Sequence, residues 1–226
     1  MTGVAHWIIA IDGPAAAGKG TLARRLALHL GLPYLDTGLL YRAVGRRVLD
    51  LGLSPSDAVA AEQAARALQP ADLERSDLRG PEADAAAAAV ASVAGVRAAL
   101  LAFQRNFGAE RGAVLDGRDI GTVVFPNANL KLFIIATPEA RAHRRWLELR
   151  DRGIDADPAD VERDIRARDQ QDAARAIAPL RPADDAVVID TTELDRDAAF
   201  ATVLQAAGSR LALEPGAVSP RPVAGA

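Results

Sequence analysis

No cysteine occurs in the 226 residues, so disulfides, thiol nucleophiles and cysteine-held metals are excluded. The three histidines, His6, His29 and His143, stand too far apart to give a metal-ligand spacing. There is no excess of positive charge either. The formal net charge is −3, which argues against a nucleic-acid polymer as partner. No apolar run approaches the roughly 20 residues that a membrane-spanning helix needs. The N-terminus carries no basic segment, and Asp12 interrupts its apolar run, so it does not read as a signal peptide. The expectation is a soluble, cytoplasmic, monomeric protein with no membrane partner. Lysine is the most telling scarcity. Of 27 basic residues only two are lysine, Lys19 and Lys131, and all the others are arginine.

What is present begins at one of those lysines. Gly13-Pro14-Ala15-Ala16-Ala17-Gly18-Lys19-Gly20-Thr21 follows the apolar run Trp7–Asp12. It precedes a segment, Leu22 to Leu30, whose apolar residues recur at helical spacing. Strand, glycine loop and helix form the context that makes a P-loop credible. The glycines let backbone N–H groups converge on phosphate, and the helix N-terminus adds unpaired donors and a favourable dipole. Lys19 supplies the point charge. A chain that almost never uses lysine uses it there. The common form places a hydroxyl directly after the lysine. Here that position is Gly20 and the hydroxyl comes one later, at Thr21, a variant similar to that of nucleoside monophosphate kinases.

Five strand-like runs alternate with helical stretches: 7–12, 33–36, 113–116, 130–136 and 186–190. Short apolar strands between helices imply a parallel sheet covered on both faces. The fold class expected is therefore α/β, the three-layer P-loop NTPase fold with a five-stranded parallel sheet. Ligands in such sheets bind at the carboxyl ends of the strands, where Asp12, Asp36 and Asp116 lie. Residues from about 50 to 105 form a long excursion between the second and third strands. It is polar from Ser54 to Gly80 and alanine-rich, hence helical, from Glu82 to Phe103. It reads either as an inserted subdomain or as ordinary covering helices. The residues after Glu214 carry Pro and Gly without pattern and read as a frayed tail.

Three constellations carry candidate chemistry. Asp36-Thr37-Gly38 with Tyr41-Arg42 either caps a helix or forms an acceptor site in which Arg42 reaches an anion. Asp116-Gly117-Arg118-Asp119 closes a strand beside the P-loop strand, as a turn with an ion pair or as a ligand-facing loop. The stretch Arg141–Arg175 holds nine arginines and nine acidic residues. That balance suits two salt-bridged helices, or a lid whose arginines close over phosphates. Arg141, Arg144 and Arg145 share one helical face, and Arg168, Asp172 and Arg175 share another. Arg152-Gly153 and Asp157-Pro158 break the chain between the two helices.

Taken together, these motifs resemble bacterial cytidylate kinase. The residues that carry the resemblance are Ile11-Asp12-Gly13-Pro14 with Gly18-Lys19-Gly20-Thr21, Asp36-Thr37-Gly38 with Tyr41-Arg42, and the run Asp116-Gly117-Arg118-Asp119-Ile120-Gly121-Thr122-Val123-Val124-Phe125-Pro126. Arg141-Ala142-His143-Arg144-Arg145 and Arg168-Asp169 through Asp172 to Arg175 complete it. The resemblance spans about residues 7 to 195. It implies transfer of the γ-phosphoryl group of ATP to CMP or dCMP with Mg²⁺. It implies ATP phosphates on Gly13 through Thr21, with Lys19, Arg144, Arg145 and Arg168 as catalytic cations. It puts Arg42, Arg118 and Arg175 on the CMP phosphate, Asp172 and Arg168 near the ribose, Thr37 in the acceptor site, and Arg97 and Asp119 at the base. Cytosine agrees with that last pair: its N4 amino group donates, as a carboxylate requires. No direct protein ligand for Mg²⁺ is expected; the ion would ride on phosphates and waters near Asp36 and Asp116. The implied organisation is one domain with its core at about 5–50 and 105–205. A nucleotide-binding insert would lie at about 51–104, a lid at about 144–175 and a flexible tail at 208–226. Two departures stand out. The insert is short between Ala67 and Glu82, and a serine expected at the base aligns with Ala88, leaving Ser92 as its substitute. Two other readings remain open at this point: a P-loop kinase for another small acceptor, and a non-catalytic nucleotide-binding regulator.

Overall fold

The computed structural model describes residues 6–211. Five strands form one sheet in the order β2-β3-β1-β4-β5: β1 (Ile8–Asp12), β2 (Tyr34–Asp36), β3 (Ala113–Gly117), β4 (Leu130–Ile135) and β5 (Val187–Asp190). The pairings of β1 with β3, β1 with β4 and β4 with β5 are parallel. Each of the five runs expected from the sequence becomes a strand: four are one residue shorter than expected, and β3 is one residue longer. The central strands read as unbroken apolar runs because both faces are covered. Ile9, Ile11, Val114 and Ile134 are fully buried, while Val188 on the edge strand β5 is half exposed.

Helix α1 (Lys19–Leu30) presents Leu22, Ala23, Leu26 and Ala27 to this core. Gly31, with φ of 65°, stops it in the left-handed conformation. The N–H groups of Gly31 and Leu32 then return to the carbonyls of Leu28 and Ala27, which satisfies the helix end. Helix α8 (Arg196–Leu211) packs on α1 and on β4 and β5, burying Ala199, Val203 and Ala207. Its final residue, Leu211, is also buried. The expected flexible tail from 208 is thereby corrected: the apolar spacing runs on to Leu211, so residues 208–211 remain helical. The rest of that tail, 212–226, lies outside the described residues.

The chain divides into two compact units, residues 1–35 with 108–226 and residues 36–107. The second unit is helical. It holds α2 (Thr37–Asp50), α3 (Ala58–Arg66), the 3₁₀ turn Pro70–Leu73, α4 (Pro81–Ala91) and most of α5 (Ala94–Ala109). The alanine-rich stretch is not one helix: it breaks at Ser92-Val93 and bends by 99°. Helices α2 and α4 meet at Gly45. A Cβ there would stand 2.8 Å from the Ala86 side chain and 2.9 Å from the Ala86 backbone. Glycine on one helix and alanine on the other let the two backbones touch. Among the described residues no single helix is long and apolar enough to cross a membrane.

Candidate active site

The phosphate loop takes its shape from three unusual backbone positions. Gly13 has φ of 151°, and a Cβ there would stand 2.1 Å from the Ile134 carbonyl oxygen of β4. Only glycine fits. Ala16, at φ 58°, and Gly18, at φ 85°, turn the chain through the left-handed region before α1 begins at Lys19. The turn aims consecutive N–H groups into the loop. Lys19 is mostly buried, and its ammonium donates to the Pro14 carbonyl at 3.1 Å. Gly20 faces a carboxylate: a Cβ on it would stand 3.6 Å from Asp116 Oδ2 and 3.6 Å from the Tyr34 hydroxyl. Tyr34 donates to Asp116 Oδ1 at 2.7 Å.

Helices α6 (Pro138–Asp151) and α7 (Pro158–Ala174) pack on one another, separated where Gly153 takes φ of 71°. Their arginines do not act alike, although their spacing puts them on shared faces. Arg141 is buried and structural. It donates to the Ala136 carbonyl at 2.9 Å, to the P-loop carbonyl of Ala15 at 3.2 Å, and with both terminal nitrogens to Asp169 of α7. One guanidinium thus ties the phosphate loop to both helices, in the bidentate geometry that arginine favours. Arg144 donates to the Thr191 hydroxyl at 3.1 Å and to its carbonyl. The Thr191 hydroxyl in turn lies 3.3 Å from the Ala17 carbonyl of the P-loop. Arg145 pairs with Glu148 at 3.0 Å. Arg141, Asp169 and Thr191 were not singled out as site residues from the sequence. Their spacing to the P-loop is 126 residues or more for two of them, and no local pattern signals such pairings.

Asp172 gathers three arginines of the first unit. Its carboxylate is buried, accepts from Arg118 Nε at 2.7 Å, and pairs with Arg175 one turn on. Burial alone would raise its pKa; Arg118 first, then Arg175 and Arg168, reverse that and hold it below the usual carboxylate range. The expected residues Arg118, Arg168, Asp172 and Arg175 therefore come together. Three guanidinium groups around one carboxylate leave a net positive site suited to a phosphate. Asp119 is buried at the start of a π-helical turn, Ile120–Val124.

Asp12 does not face ligand as a strand-end carboxylate in such a sheet would. It accepts the backbone N–H of Ile120 at 2.8 Å and of Gly121 at 2.7 Å. Burial pushes its pKa up to about 7, against those two bonds and Lys19, while Asp119 adds to the rise.

In the second unit Asp36 is the N-cap of α2, accepting from the Leu39 N–H at 3.2 Å. Thr37 is buried in the first turn. Arg42 donates from Nε to Asp84 at 2.9 Å and lies 3.8 Å from Asp36. The Arg97 guanidinium sits 5.9 Å over the Tyr41 ring, a cation–π distance. The Ser92 hydroxyl donates to the Ala89 carbonyl at the end of α4.

The family model of cytidylate kinase matches residues 9–209. The chain belongs to the cytidylate kinase family. It is 62% identical to a cytidylate kinase of Granulibacter bethesdensis over 193 residues, which is 85% of this chain and 92% of that protein. It is 59% identical to a cytidylate kinase of Paramagnetospirillum magneticum over 207 residues, 90% of this chain and 98% of that one. A crystal structure of an uncharacterized protein from Eubacterium ventriosum, 18% identical, superposes with a TM-score of 0.53, covering 91% of this chain and all of that one. That likeness bears on the fold alone.

Proposed function

We propose that the chain transfers the γ-phosphoryl group of ATP to CMP or dCMP, giving ADP and CDP or dCDP, as a monomer in the cytoplasm. The observation that carries the reading is the cluster of Arg118, Arg168 and Arg175 around Asp172, in the same unit as the P-loop of a cytidylate kinase family member. A binding-only regulator needs the P-loop but not a second phosphate site.

In this reading the backbone of Gly13 through Thr21 and the Lys19 ammonium hold the ATP phosphates. Arg118 and Arg175 hold the acceptor phosphate, a role that the family resemblance also gives to Arg42. That phosphate monoester has its second pKa near 6, so it is largely dianionic at neutral pH and needs no general base. One of its oxygens attacks the γ phosphorus. The new P–O bond forms as the bond from that phosphorus to the β–γ bridging oxygen breaks, and ADP leaves. Lys19, Arg144, Arg145 and Arg168 offset the charge that spreads over the transferring group. Asp172 and Arg168 meet the ribose, Thr37 lies in the acceptor site, and Arg97 and Asp119 read cytosine. Residues from about 51 to 104 serve as the nucleotide-binding insert, and those from about 144 to 175 as the lid.

The residues also fit a Mg²⁺ ion that travels with the nucleotide. No group of three or more carboxylate or imidazole side chains suited to a metal occurs among the described residues. That suits an ion kept largely hydrated and held through phosphates. Asp36 is committed to capping α2 and to Arg42, so Asp116, beside Gly20, is the carboxylate that would hold its waters. Bound with ATP, Mg²⁺ would supply positive charge to offset that of the phosphates.

A coupled assay of ADP release with CMP, dCMP, UMP, AMP and shikimate tests the reading. Release that depends on CMP or dCMP supports it. Release driven best by another acceptor means a different small-molecule kinase. ATP binding without acceptor-dependent release means a regulator.

A further inference from the structure

Asp119 occupies a position where an aspartate ordinarily caps a helix with its own side chain. It immediately precedes the turn Ile120–Val124, and its carbonyl accepts the N–H groups of Val123 at 2.9 Å and Val124 at 3.2 Å. Its carboxylate nonetheless makes no capping bond to that turn. The donors at the start of the turn are taken instead by Asp12, from the end of β1, with one carboxylate oxygen on each N–H. Gly121 lies beside the contact. A Cβ there would stand 3.4 Å from Asp12 Oδ2 and 3.2 Å from the stem of Lys131. Asp12 also directly precedes Gly13, so one carboxylate joins the phosphate loop to the loop that carries Asp119.

We propose that Asp12 is a positioning residue for base discrimination: by capping the turn from another strand, it relieves Asp119 of that duty and aims the Asp119 carboxylate at the cytosine edge. The inference rests on the reading that Asp119 recognises the base. Asp12 itself touches no substrate. The Asp12 carboxyl group serves both N–H groups at once, one oxygen to each. An asparagine offers one oxygen and turns an N–H₂ toward the other donor, so one bond is lost and replaced by a repulsive contact.

The experiment compares Asp12→Asn, Asp119→Asn and the double variant with the wild type by kcat/KM for CMP and UMP. Hydrogen exchange over residues 119–125 is followed in the same proteins. Asp12→Asn should lower the CMP-to-UMP ratio on the order of tenfold, the worth of one charge-assisted bond. It should also speed exchange at 119–125. The double variant should discriminate no worse than Asp119→Asn alone, because Asp12 acts through Asp119. A wild-type ratio in Asp12→Asn, where Asp119→Asn lowers it, overturns the proposal. So do full additivity in the double variant and unchanged exchange. If Asp119→Asn leaves the ratio unchanged, base reading by Asp119 fails and the proposal falls with it; faster exchange in Asp12→Asn then shows that the clamp itself was real. Should Asp12→Asn fail to fold, Asp12→Glu replaces it, since the added methylene shifts the carboxylate off the two N–H groups. The ratio must then fall, and a wild-type ratio overturns the proposal.

Discussion

The two compact units hold their functional arginines by different means. In residues 6–35 and 108–211 the positions are enforced from inside. Arg141 is almost wholly buried and bonded on three sides, Arg118 and Arg175 lean on a buried Asp172, and Gly13 abuts a sheet carbonyl. In residues 36–107 the helices touch through small residues, Gly45 on Ala86. Their charged groups pair closer to the surface: Arg46 with Asp50 and Glu82, Arg75 with Asp50 and Asp77, and Arg47 with Asp72. Buried, hydrogen-bonded partners resist displacement, whereas exposed ion pairs are screened and contribute little each. The first unit therefore holds its charged groups in one geometry, and the second draws its order from close helix contact more than from its many salt bridges.

The largest expected effect lies in the first unit. Lys19→Ala should lower kcat by on the order of 10³-fold, the upper range for losing one preorganised electrostatic contact. Its melting temperature should change little, because the hydrogen bond from the ammonium to the Pro14 carbonyl, at 3.1 Å, stays within its own loop. Near wild-type turnover would end the P-loop assignment.

The buried carboxylates of the same unit should show in the pH dependence of stability. Asp12 is raised to about 7 by burial, with Asp119 adding to the rise and Lys19 and the two backbone N–H bonds opposing it. The stem of Lys131 packs beside it at Gly121. An unfolded aspartate titrates near 3.9. Between about pH 4 and pH 7 the folded chain thus keeps a proton that the unfolded chain has lost. Asp12 contributes stability that is fully present below about pH 4 and is lost as pH rises through about 7, at up to about 1.4 kcal/mol per pH unit. Asp172, whose pKa is lowered, acts in the opposite sense: its contribution is present above the unfolded value and is lost as pH falls. Urea titrations of wild type and Asp12→Asn across pH 4 to 8 should give a difference curve with that downward slope. A flat difference would mean that Asp12 ionises as an ordinary carboxylate.

Arg175→Ala and Arg42→Ala each test the acceptor-phosphate role proposed for that arginine. Each should weaken CMP binding by about 1.5–3 kcal/mol while ATP binding stays near wild type. Separate calorimetric titrations decide it; an equal loss for ATP would remove the acceptor-side role. Gly45→Val should destabilise the protein by about 1–3 kcal/mol, the usual cost of overpacking, because its side chain meets Ala86 backbone. A denaturant midpoint equal to wild type would show that α2 and α4 part easily. Arg46→Ala should be the mildest, within about 1 kcal/mol, though it breaks ion pairs to Asp50 and Glu82. A larger loss in the same titration would mean that the surface network, and not the small-residue contact, orders residues 36–107.

Local features were legible in advance. The five strands were visible as short apolar runs because a sheet covered on both faces needs no polar alternation. The P-loop was visible because glycines, lysine and helix start are contiguous. The i, i+4 spacing of Arg168 and Asp172 placed both on one face of α7, as helical geometry requires. The bend at Ser92-Val93 was not legible, since alanine favours helix on both sides of it and neither residue is a strong breaker. Nor was the division of labour among arginines: Arg141, Arg144 and Arg145 share a spacing, yet one is a buried strut, one is anchored on Thr191 and one pairs with Glu148.

By itself, then, the order of residues determined the α/β class, the phosphate loop and the family motifs, all of which rest on neighbours within a few positions. Only the tertiary structure decided which carboxylate serves which purpose. Asp12, Asp36 and Asp116 each end a strand. Folding turned the first to backbone N–H groups 108 and 109 residues away, the second to the cap of its own helix, and the third to the Tyr34 hydroxyl. An aspartate carries the same charge and reach wherever it stands. Its partners, and hence its duty, are set by the donors that the packed strands bring within about 3 Å.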